Sequence, residues 1–308
     1  MIVVHVTHEA VEQIGGIGTV IAGLVTSDAY AETVSRTILL GPLFSADHPV
    51  NRRLGEGGHV IYSSLDAITP PECHATFHSI EHQHAANLIY GTRPLVDACT
   101  GRAVDVEVVL ADVFEANPDR LNYFKGQLFE HYGVRSDQWE HIWDFEQYVR
   151  LAEPGFEAIE ALVGADNDEQ ILVLAHEYMG VPTALKAMLT GNRKVRTVFY
   201  AHEVASVRPV VEKLEGHDTM FYNVMAQAAE QGLTIEDVFP AEVAANYKHP
   251  LVKAARYCDH VFAVGEYIRE ELRFVDPHFQ ASRVDLVFNG IPAEEIRAEE
   301  RSASRERM

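Results

Sequence analysis

The stretch IVVHVTHEAVEQIGGIGTVIAGL, residues 2–24, decides the fold class of this chain. It begins with a short apolar run, continues through a polar stretch, and places Gly15, Gly16 and Gly18 just before a segment with helical apolar spacing. Glycine accepts backbone angles that are closed to other residues, so the loop suits a tight turn. The loop equally suits a ligand that lies against the backbone, and the spacing alone leaves both interpretations open.

Similar apolar runs recur along the chain, several of them apolar at consecutive positions. This pattern is typical of parallel strands that are covered on both faces. The predicted strands are 2–6, 36–41, 59–64, 105–113, 170–176, 196–202, 259–265 and 283–290, and the helix-length segments include 18–31, 143–163, 180–190 and 240–257. The alternation predicts an α/β fold with a Rossmann-like, doubly wound, mostly parallel sheet.

Two stretches interrupt this alternation. Residues 70–100 are rich in histidine and receive no assignment, and residues 206–240 are predicted to be a mixed, helical excursion. Residues 1–292 are predicted to form one domain. Residues 293–308 are charged and nearly without apolar positions, which predicts a solvated linker or tail.

Composition excludes several classes of protein. The formal charge is -21, from 25 Lys plus Arg against 46 Asp plus Glu, so nucleic acid is not expected as a partner. Cys73, Cys99 and Cys258 are far apart and lack a CxxC spacing, which indicates neither a disulfide framework nor a thiolate zinc site. No apolar run reaches membrane-spanning length, and the first residues lack a secretory pattern. We expect a cytoplasmic protein without a membrane partner.

Polar residues and glycines follow the predicted strands where each one ends. Ligands of open α/β sheets bind beyond the carboxyl ends of the strands, so residues at these positions are expected to share one site. The set comprises Gly15, Gly16 and Gly18, then His176 and Glu177, His202 and Glu203, Gly265 and Glu266, and Asn289 and Gly290.

The glycine loop can offer backbone N–H groups and a helix N-terminus to an anion. It matches the dinucleotide fingerprint poorly, because Ile21 stands where the third glycine belongs and the second strand ends in LLGP with no nearby acidic residue to bind a ribose. A Walker loop is excluded because the chain contains no GKS or GKT. His176 and His202 can each bind a hydroxyl, accept a proton or cap neighbouring backbone, and these alternatives remain open.

Other candidate sites are weaker. His74, His78 and His82 are spaced four residues apart and could share a helix face suited to zinc, but no HExxH occurs, so a polar surface is the favoured interpretation and no metal is predicted. No GxSxG elbow indicates a serine nucleophile. The acidic residues Glu9 and Glu12, and those of GEYIREEL at 265–272, are expected to be solvated.

Taken in order, the glycine loop, LAHEYMGVPTALKAML, TVFYAHEV, KAARYCDHVFAVGEYIREEL and VFNGIP resemble the N-terminal half of glycogen and starch synthases. The likeness covers residues 1–292 and depends on the order of short motifs. It implies a retaining glycosyltransferase of the two-domain GT-B architecture. Such an enzyme transfers glucose from ADP- or UDP-glucose to a glucan and needs no cofactor or metal.

The resemblance also implies roles for individual residues. Gly15 and Gly16 match glycines that approach the donor's phosphates and sugar, and His176 matches a histidine that contacts the transferred glucose. His202 and Arg208 match polar positions of the same cleft. Glu177 follows the matched histidine as a substrate-binding position, and Asn289 marks the hinge toward the second domain.

Two departures from the family pattern affect these expectations. Gln13 stands where the family has a lysine beside the double glycine. The matched region also lacks the second domain, which in the family carries the Arg/Lys pair and the Glu-x7-Glu motif. We therefore expect no glucosyl transfer by this chain alone, with a second domain or chain as the partner that completes the site.

Three alternatives remain open at this stage. The first is another GT-B transferase of the sucrose or trehalose type. The second is a non-catalytic carbohydrate-binding or regulatory module of the same fold. The third is a nicotinamide-dependent oxidoreductase, which the missing ribose acid makes less favourable.

Overall fold

One sheet organises the chain in a computed structural model that describes residues 1–12, 14–97, 100–213, 217–279, 283–289 and 305. Its strands are β1 (Ile2–Val6), β2 (Arg36–Pro42), β3 (His59–Ser63), β4 (Asn87–Val96), β5 (Ala103–Asp112), β6 (Ile171–His176), β7 (Val195–Ala201), β8 (His260–Ala263) and β9 (Val284–Leu286). The helices are α1 (Ile17–Val25), α2 (Asp28–Thr33), α3 (Pro71–His84), α4 (Pro118–Tyr132), α5 (Trp143–Val163), α6 (Glu177–Leu189), α7 (Arg208–Lys213), α8 (His217–Gln231), α9 (Ile235–Val238), α10 (Pro240–Ala244), α11 (His249–Ala254) and α12 (Glu266–Val275).

The strand order is β3-β4-β5-β2-β1-β6-β7-β8-β9. All neighbours from β5 to β9 in this order are parallel, whereas β3 with β4 and β4 with β5 are antiparallel. The predicted α/β class with a mostly parallel sheet is therefore confirmed. The chain order reverses at β1, which lies between β2 and β6, and such a switch point opens a crevice at the carboxyl ends of the strands.

The sheet buries both of its faces around β1. All five residues of β1 are buried, and Val4 and Val6 join the main apolar cluster on one face. On that side α5 packs against α6 and α3. On the other face a second cluster contains Val3, Leu174, Val198 and Tyr200. The consecutive apolar pattern of the central strands follows from this double cover.

The strand β4 was not expected from the sequence. Gly91 and Pro94 lie within it and read as strand breakers. The β3 pairing reaches only to His59 opposite Thr92, so the missing N–H of Pro94 costs no bond to β3. A Cβ on Gly91 would lie 2.1 Å from the carbonyl oxygen of His59, so glycine permits the close approach of β3.

Several helix boundaries differ from the expected ones. The segment 18–31 divides into α1 and α2, because the Ser27 side chain accepts a hydrogen bond from the backbone N–H of Tyr30 and starts a new helix. The segment 180–190 begins earlier, at Glu177, directly after β6. The expected helix 143–163 is confirmed as α5. The unassigned histidine-rich segment forms α3, and 240–257 contains α10 and α11.

None of the helices in the described ranges is long and apolar enough to cross a membrane. The predicted linker or tail at 293–308 lies outside the described residues except for residue 305.

Candidate functional site

A cavity of about 340 Å³ opens beyond the carboxyl ends of β1, β6 and β7. We call it the glycine-loop cavity. It is lined by residues from the loop after β1, the start of α6, the loop after β7 and the segment after β9: His8, Glu9, Ile14, Gly15, Gly16, Ile17, Val20, Glu177, Met179, His202, Glu203 and Asn289.

The structure brings together six of the residues predicted to share one site. Gly15, Gly16, Glu177, His202, Glu203 and Asn289 all line the glycine-loop cavity, although they come from four separate parts of the sequence. Their shared position at strand ends is the feature that made the sequence prediction possible.

The remaining predicted residues lie elsewhere. His176 is fully buried behind the cavity and does not line it. Arg208 is exposed at the start of α7 and lines a neighbouring cavity of about 170 Å³, with its Nε 3.9 Å from Glu203 Oε2. Gln13 and Gly290 lie outside the described residues.

Glu9 was expected to be solvated, and this expectation is wrong because its side chain is buried against the glycine loop. Its Oε2 accepts a hydrogen bond of 2.8 Å from the backbone N–H of Gly18, in the first turn of α1. A carboxyl group of the chain itself therefore occupies the helix end that could have bound an anion. Glu12 lies in the same polar stretch of the sequence and is exposed. The sequence alone therefore could not tell the buried glutamate from the exposed one.

The two loop glycines serve different purposes. A Cβ on Gly15 would lie 2.9 Å from Glu9 Oε1, so glycine at this position makes room for the buried carboxyl group. A Cβ on Gly16 would meet no described protein atom within 4 Å. Gly16 adopts an ordinary right-handed conformation, with φ of -100°, that any residue can take. The protein itself therefore gives no reason for glycine at position 16, and a ligand in the cavity would give one.

Glu177 holds a strained position at the junction of β6 and α6. Its φ of 56° lies in the left-handed region, which a residue with a side chain rarely adopts. Its Oε1 accepts hydrogen bonds from the backbone N–H groups of His202, at 2.5 Å, and Glu203, at 2.7 Å. These contacts join the start of α6 to the loop after β7.

The Glu177 carboxyl group is neutral near pH 7. Burial raises its pKa to about 8, although the two backbone N–H groups act in the opposite direction. Because Oε1 accepts both N–H groups, the proton belongs on Oε2. That oxygen is buried and has no hydrogen-bond partner among the described residues, and Glu177 is one of the residues that line the cavity.

Three histidines form a chain of hydrogen bonds across β1, β6 and the end of β7. His5 Nδ1 lies 2.9 Å from His176 Nε2, and His176 Nδ1 lies 2.9 Å from His202 Nε2. His5 Nε2 lies 3.2 Å from the hydroxyl of Tyr30 in α2. Of these side chains, His202 is the one that lines the cavity. Sequence reasoning missed His5, although a lone polar residue within the apolar run of β1 was an available signal.

Burial keeps this histidine chain neutral. It lowers the pKa of His5 to about 3 and of His202 to about 4, and it lowers the pKa of His176 well below the ordinary value. In the unfolded chain the same residues take up protons near pH 6.5. The unfolded state therefore binds more protons than the folded state as the pH falls below 6.5, which lowers the free energy of unfolding. Glu177 acts in the opposite direction, because its proton is held more tightly in the folded state.

We expect the three histidines and Glu177 together to lower the free energy of unfolding by about 2–4 kcal/mol between pH 6.5 and pH 5. Each histidine contributes a fall of about 1.4 kcal/mol per pH unit, and Glu177 offsets part of the sum. Urea unfolding across this pH range measures the fall. The variant His5→Asn removes one titrating group, so its fall should be smaller by about 1.5 kcal/mol. Equal falls in the two proteins would show that His5 is not held neutral.

A larger cleft of about 800 Å³ lies beside the glycine-loop cavity, beyond the ends of β1 and β2. His8 lines both spaces. The cleft also contains His48, Arg52 and Arg53 from the segment after β2. Arg93 of β4 supports the loop between the two spaces, because its Nη1 donates to the carbonyl oxygens of Ala10 at 3.1 Å and Val11 at 2.6 Å.

Two further histidine groups have structural roles. His74, His78 and His82 are exposed along one face of α3, as the polar-surface interpretation predicted, with the ring centroids of the first two 4.6 Å apart. No group of three or more potential metal ligands occurs among the residues that the structure describes. His249 bonds Ser206 Oγ at 2.9 Å and Glu236 Oε1 at 3.0 Å, but Ser206 is buried, so this triad anchors the loop after β7.

Comparisons with known proteins give likenesses to solved structures, of which the following one is weak. No protein-family model matches the chain, and no curated protein matches it. Among solved structures, one described as trehalose-6-phosphate from E. coli bound with UDP-2-fluoro glucose is similar with a TM-score of 0.41 and 11% sequence identity. The match covers 99% of this chain and 54% of that one, so the chain spans about half the length of this neighbour.

Proposed function

We propose that this chain is the acceptor-side half of a retaining glycosyltransferase of the glycogen and starch synthase type, which transfers glucose from ADP- or UDP-glucose to a glucan. One observation carries the proposal. Two buried carboxyl oxygens, Glu9 Oε1 and Glu177 Oε2, have no hydrogen-bond partner among the described residues, and both residues line the glycine-loop cavity.

Buried polar atoms without partners are uncommon in proteins, and a water, an ion or a ligand is a usual explanation for them. Here two such atoms belong to residues that line one cavity, which favours a shared ligand. His8 Nε2 lies 3.5 Å from Glu9 Oε1, which is too long for a good hydrogen bond. A hexose carries hydroxyl groups that both donate and accept, so it can satisfy both carboxyl oxygens together. The motif order in the sequence supports the same ligand class.

The charges around the cavity favour the sugar over the phosphates of a nucleotide sugar. Glu9 and Glu203 line the cavity beside the neutral Glu177, and none of its described lining residues is a lysine or arginine. Carboxylates repel a diphosphate, and the helix end of α1 is already capped by Glu9. The proposal therefore assigns the glucose moiety to this cavity and the diphosphate to cationic groups of a second domain or partner chain.

The larger cleft is suited to the glucan acceptor. It adjoins the glycine-loop cavity at His8 and is roughly twice as large, so an acceptor end could lie next to the donor glucose. The side chains of His48 and Arg52 in this cleft can donate hydrogen bonds to acceptor hydroxyls.

Within the proposal, His202 and Glu177 contact the donor glucose. His176 was expected to make this contact, but its side chain is fully buried and both of its ring nitrogens bind other histidines. We therefore assign His176 as a positioning residue behind His202. Glu177 offers the O–H of its neutral carboxyl group to a sugar hydroxyl or to the leaving oxygen.

Binding of D-glucose and UDP-glucose tests the proposal, measured by saturation-transfer NMR on the purified chain. We expect the glucose protons of both ligands to contact the protein. The variant Gly16→Ala places a methyl group in open space at the cavity, so we expect at least tenfold weaker sugar binding and unchanged or slightly higher stability, by about 0.4–1 kcal/mol. Gly126→Ala, on the exposed face of α4, is the matched control and should bind glucose normally. Equal binding by all three proteins, or no binding by any, would contradict the proposal.

A non-catalytic carbohydrate-binding module is the second candidate function, favoured by the lack of cationic side chains among the described residues of the cavity. Transfer from radiolabelled UDP-glucose or ADP-glucose, measured with and without a partner domain, separates the two functions. A module would bind sugar without transfer under either condition. Acceptor tests with glucan, fructose and glucose phosphate would identify a transferase of the sucrose or trehalose type.

A further inference from the structure

The histidine chain crosses the sheet on a diagonal that the strand register explains. His5 lies opposite Leu174, two residues before His176, and His176 lies opposite Tyr200, two residues before His202. Residues two apart along a strand point to the same face. Each step therefore moves one strand sideways and two residues toward the carboxyl edge, from the buried middle of the sheet to the glycine-loop cavity.

A chain of neutral imidazoles can carry its protons in only two orders. Each neutral ring has one N–H and one accepting nitrogen, and both nitrogens of His5 and of His176 are engaged. In one order Tyr30 donates to His5, and every ring donates toward the cavity from Nδ1. In the other order every ring donates away from the cavity, and the Tyr30 hydroxyl donates a hydrogen bond to Thr37 Oγ1, which lies 3.0 Å away.

The surroundings of His202 favour the first order. Its Nε2 is bound to His176, so Nδ1 is the nitrogen that remains for a ligand. Besides the neutral Glu177, the cavity that His202 lines contains the carboxyl groups of Glu9 and Glu203. Their oxygens accept hydrogen bonds, so they favour an N–H over a lone pair on a ring nitrogen that faces this cavity.

We propose that His5, which does not touch the cavity, is a positioning residue that fixes the tautomer of His202 through His176, so that His202 presents an N–H donor at Nδ1. The identity of the ligand, a sugar hydroxyl, rests on the proposed function. The tautomer itself does not, because it is a property of the protein without ligand.

Long-range ¹H–¹⁵N correlation spectra of the chain labelled with ¹⁵N-histidine test this proposal at pH 7. We expect His5, His176 and His202 each to carry the proton on Nδ1, with signals assigned by single substitutions. A proton on Nε2 of His202 in the unmodified chain would overturn the proposal, and this result needs no variant to fold.

Two amide variants separate positioning from simple packing. In His5→Asn the amide lies where Nδ1 was and can still donate to His176, so the His202 tautomer should be unchanged. In His5→Gln the amide lies where Nε2 was and leaves His176 Nε2 without its partner. We expect mixed tautomers at His176 and His202 in that variant. Urea unfolding shows whether His5→Gln is folded. If the folded variant gives the same His202 signals as the unmodified chain, the role of His5 is contradicted.

Glucose affinity provides a separate readout. If the donor tautomer falls to between one half and one fifth of the population in His5→Gln, the apparent dissociation constant should rise about twofold to fivefold, while His5→Asn should bind as the unmodified chain does. A fixed Nδ1 tautomer without glucose binding would refute the proposed function and leave the role of His5 intact. Glucose binding with a randomised His202 tautomer in the unmodified chain would refute the role of His5 alone.

Discussion

Replacing Gly180 by alanine is expected to lower the free energy of unfolding by about 2 kcal/mol or more, the range found for overpacked sites. The helix α6 begins with no loop after β6, so its first turns lie directly over that strand. A Cβ on Gly180 would be 2.5 Å from Cα of Ala175, a residue that pairs with both Val6 and Phe199. These are backbone atoms of a central strand, so they cannot move away as a flexible side chain would.

The variant Gly126→Ala is the control for Gly180→Ala. Gly126 lies in α4 with no neighbouring atom within 4 Å of an added Cβ, so alanine should stabilise the protein by about 0.5–1 kcal/mol through helix propensity. Urea unfolding of both variants at pH 7 measures the contrast. If Gly180→Ala also gains stability, the close packing of α6 on β6 is wrong.

A folded Gly180→Ala protein should in addition bind glucose more weakly, because Glu177 lies in the same helix.

Glu177→Gln is expected to change the pH dependence of stability on the alkaline side. The folded pKa of about 8 lies above the ordinary value of 4.5, so between these values the folded state holds a proton that the unfolded state has lost. Stability therefore falls as the pH rises toward 8, by up to about 1.4 kcal/mol per pH unit. Glutamine keeps an oxygen for the two backbone N–H groups and has no proton to lose. Between pH 6.5 and pH 8 the variant should gain about 2 kcal/mol relative to the unmodified chain.

Denaturant titrations at several pH values between 6.5 and 8.5 measure this difference. The variant Glu130→Gln, which alters an exposed carboxyl group of α4, is the control and should run parallel to the unmodified chain. Parallel curves for Glu177→Gln as well would show that the buried carboxyl group is ionised throughout. Because the glutamine amide also donates where the Oε2–H did, glucose binding by Glu177→Gln should persist at pH 8.5, where binding by the unmodified chain weakens.

Much of the fold was predictable from the sequence because burial on both faces gives the central strands an unusual apolar density. The strand β4 was not predictable in this way, because it contains Gly91 and Pro94. Gly91 is explained by the close approach of β3, and Pro94 is tolerated because the pairing with β3 ends before it. The division of 18–31 into two helices depends on a cap by Ser27, a local contact that apolar periodicity does not report.

The site was predictable to the extent that residues at strand ends share one edge of the sheet. Gly16, Glu177 and His202 were found in this way. The bonds of His5 depend on the register between distant strands, and the burial of Glu9 depends on how the glycine loop folds over it. No local apolar pattern contains either. For the same reason the sequence placed His176 in contact with the ligand, although the structure places it one hydrogen bond behind His202.

The central claim is that a sugar binds between the glycine loop and the start of α6. Amide chemical shifts of the ¹⁵N-labelled chain, recorded during a titration with D-glucose, test this claim most directly. We expect the largest changes in amide chemical shift at Gly15, Gly16, Gly18, His202 and Glu203. We also expect Gly16→Ala to remove these changes. Shifts concentrated at any other surface, or shifts that persist unchanged in Gly16→Ala, would contradict it.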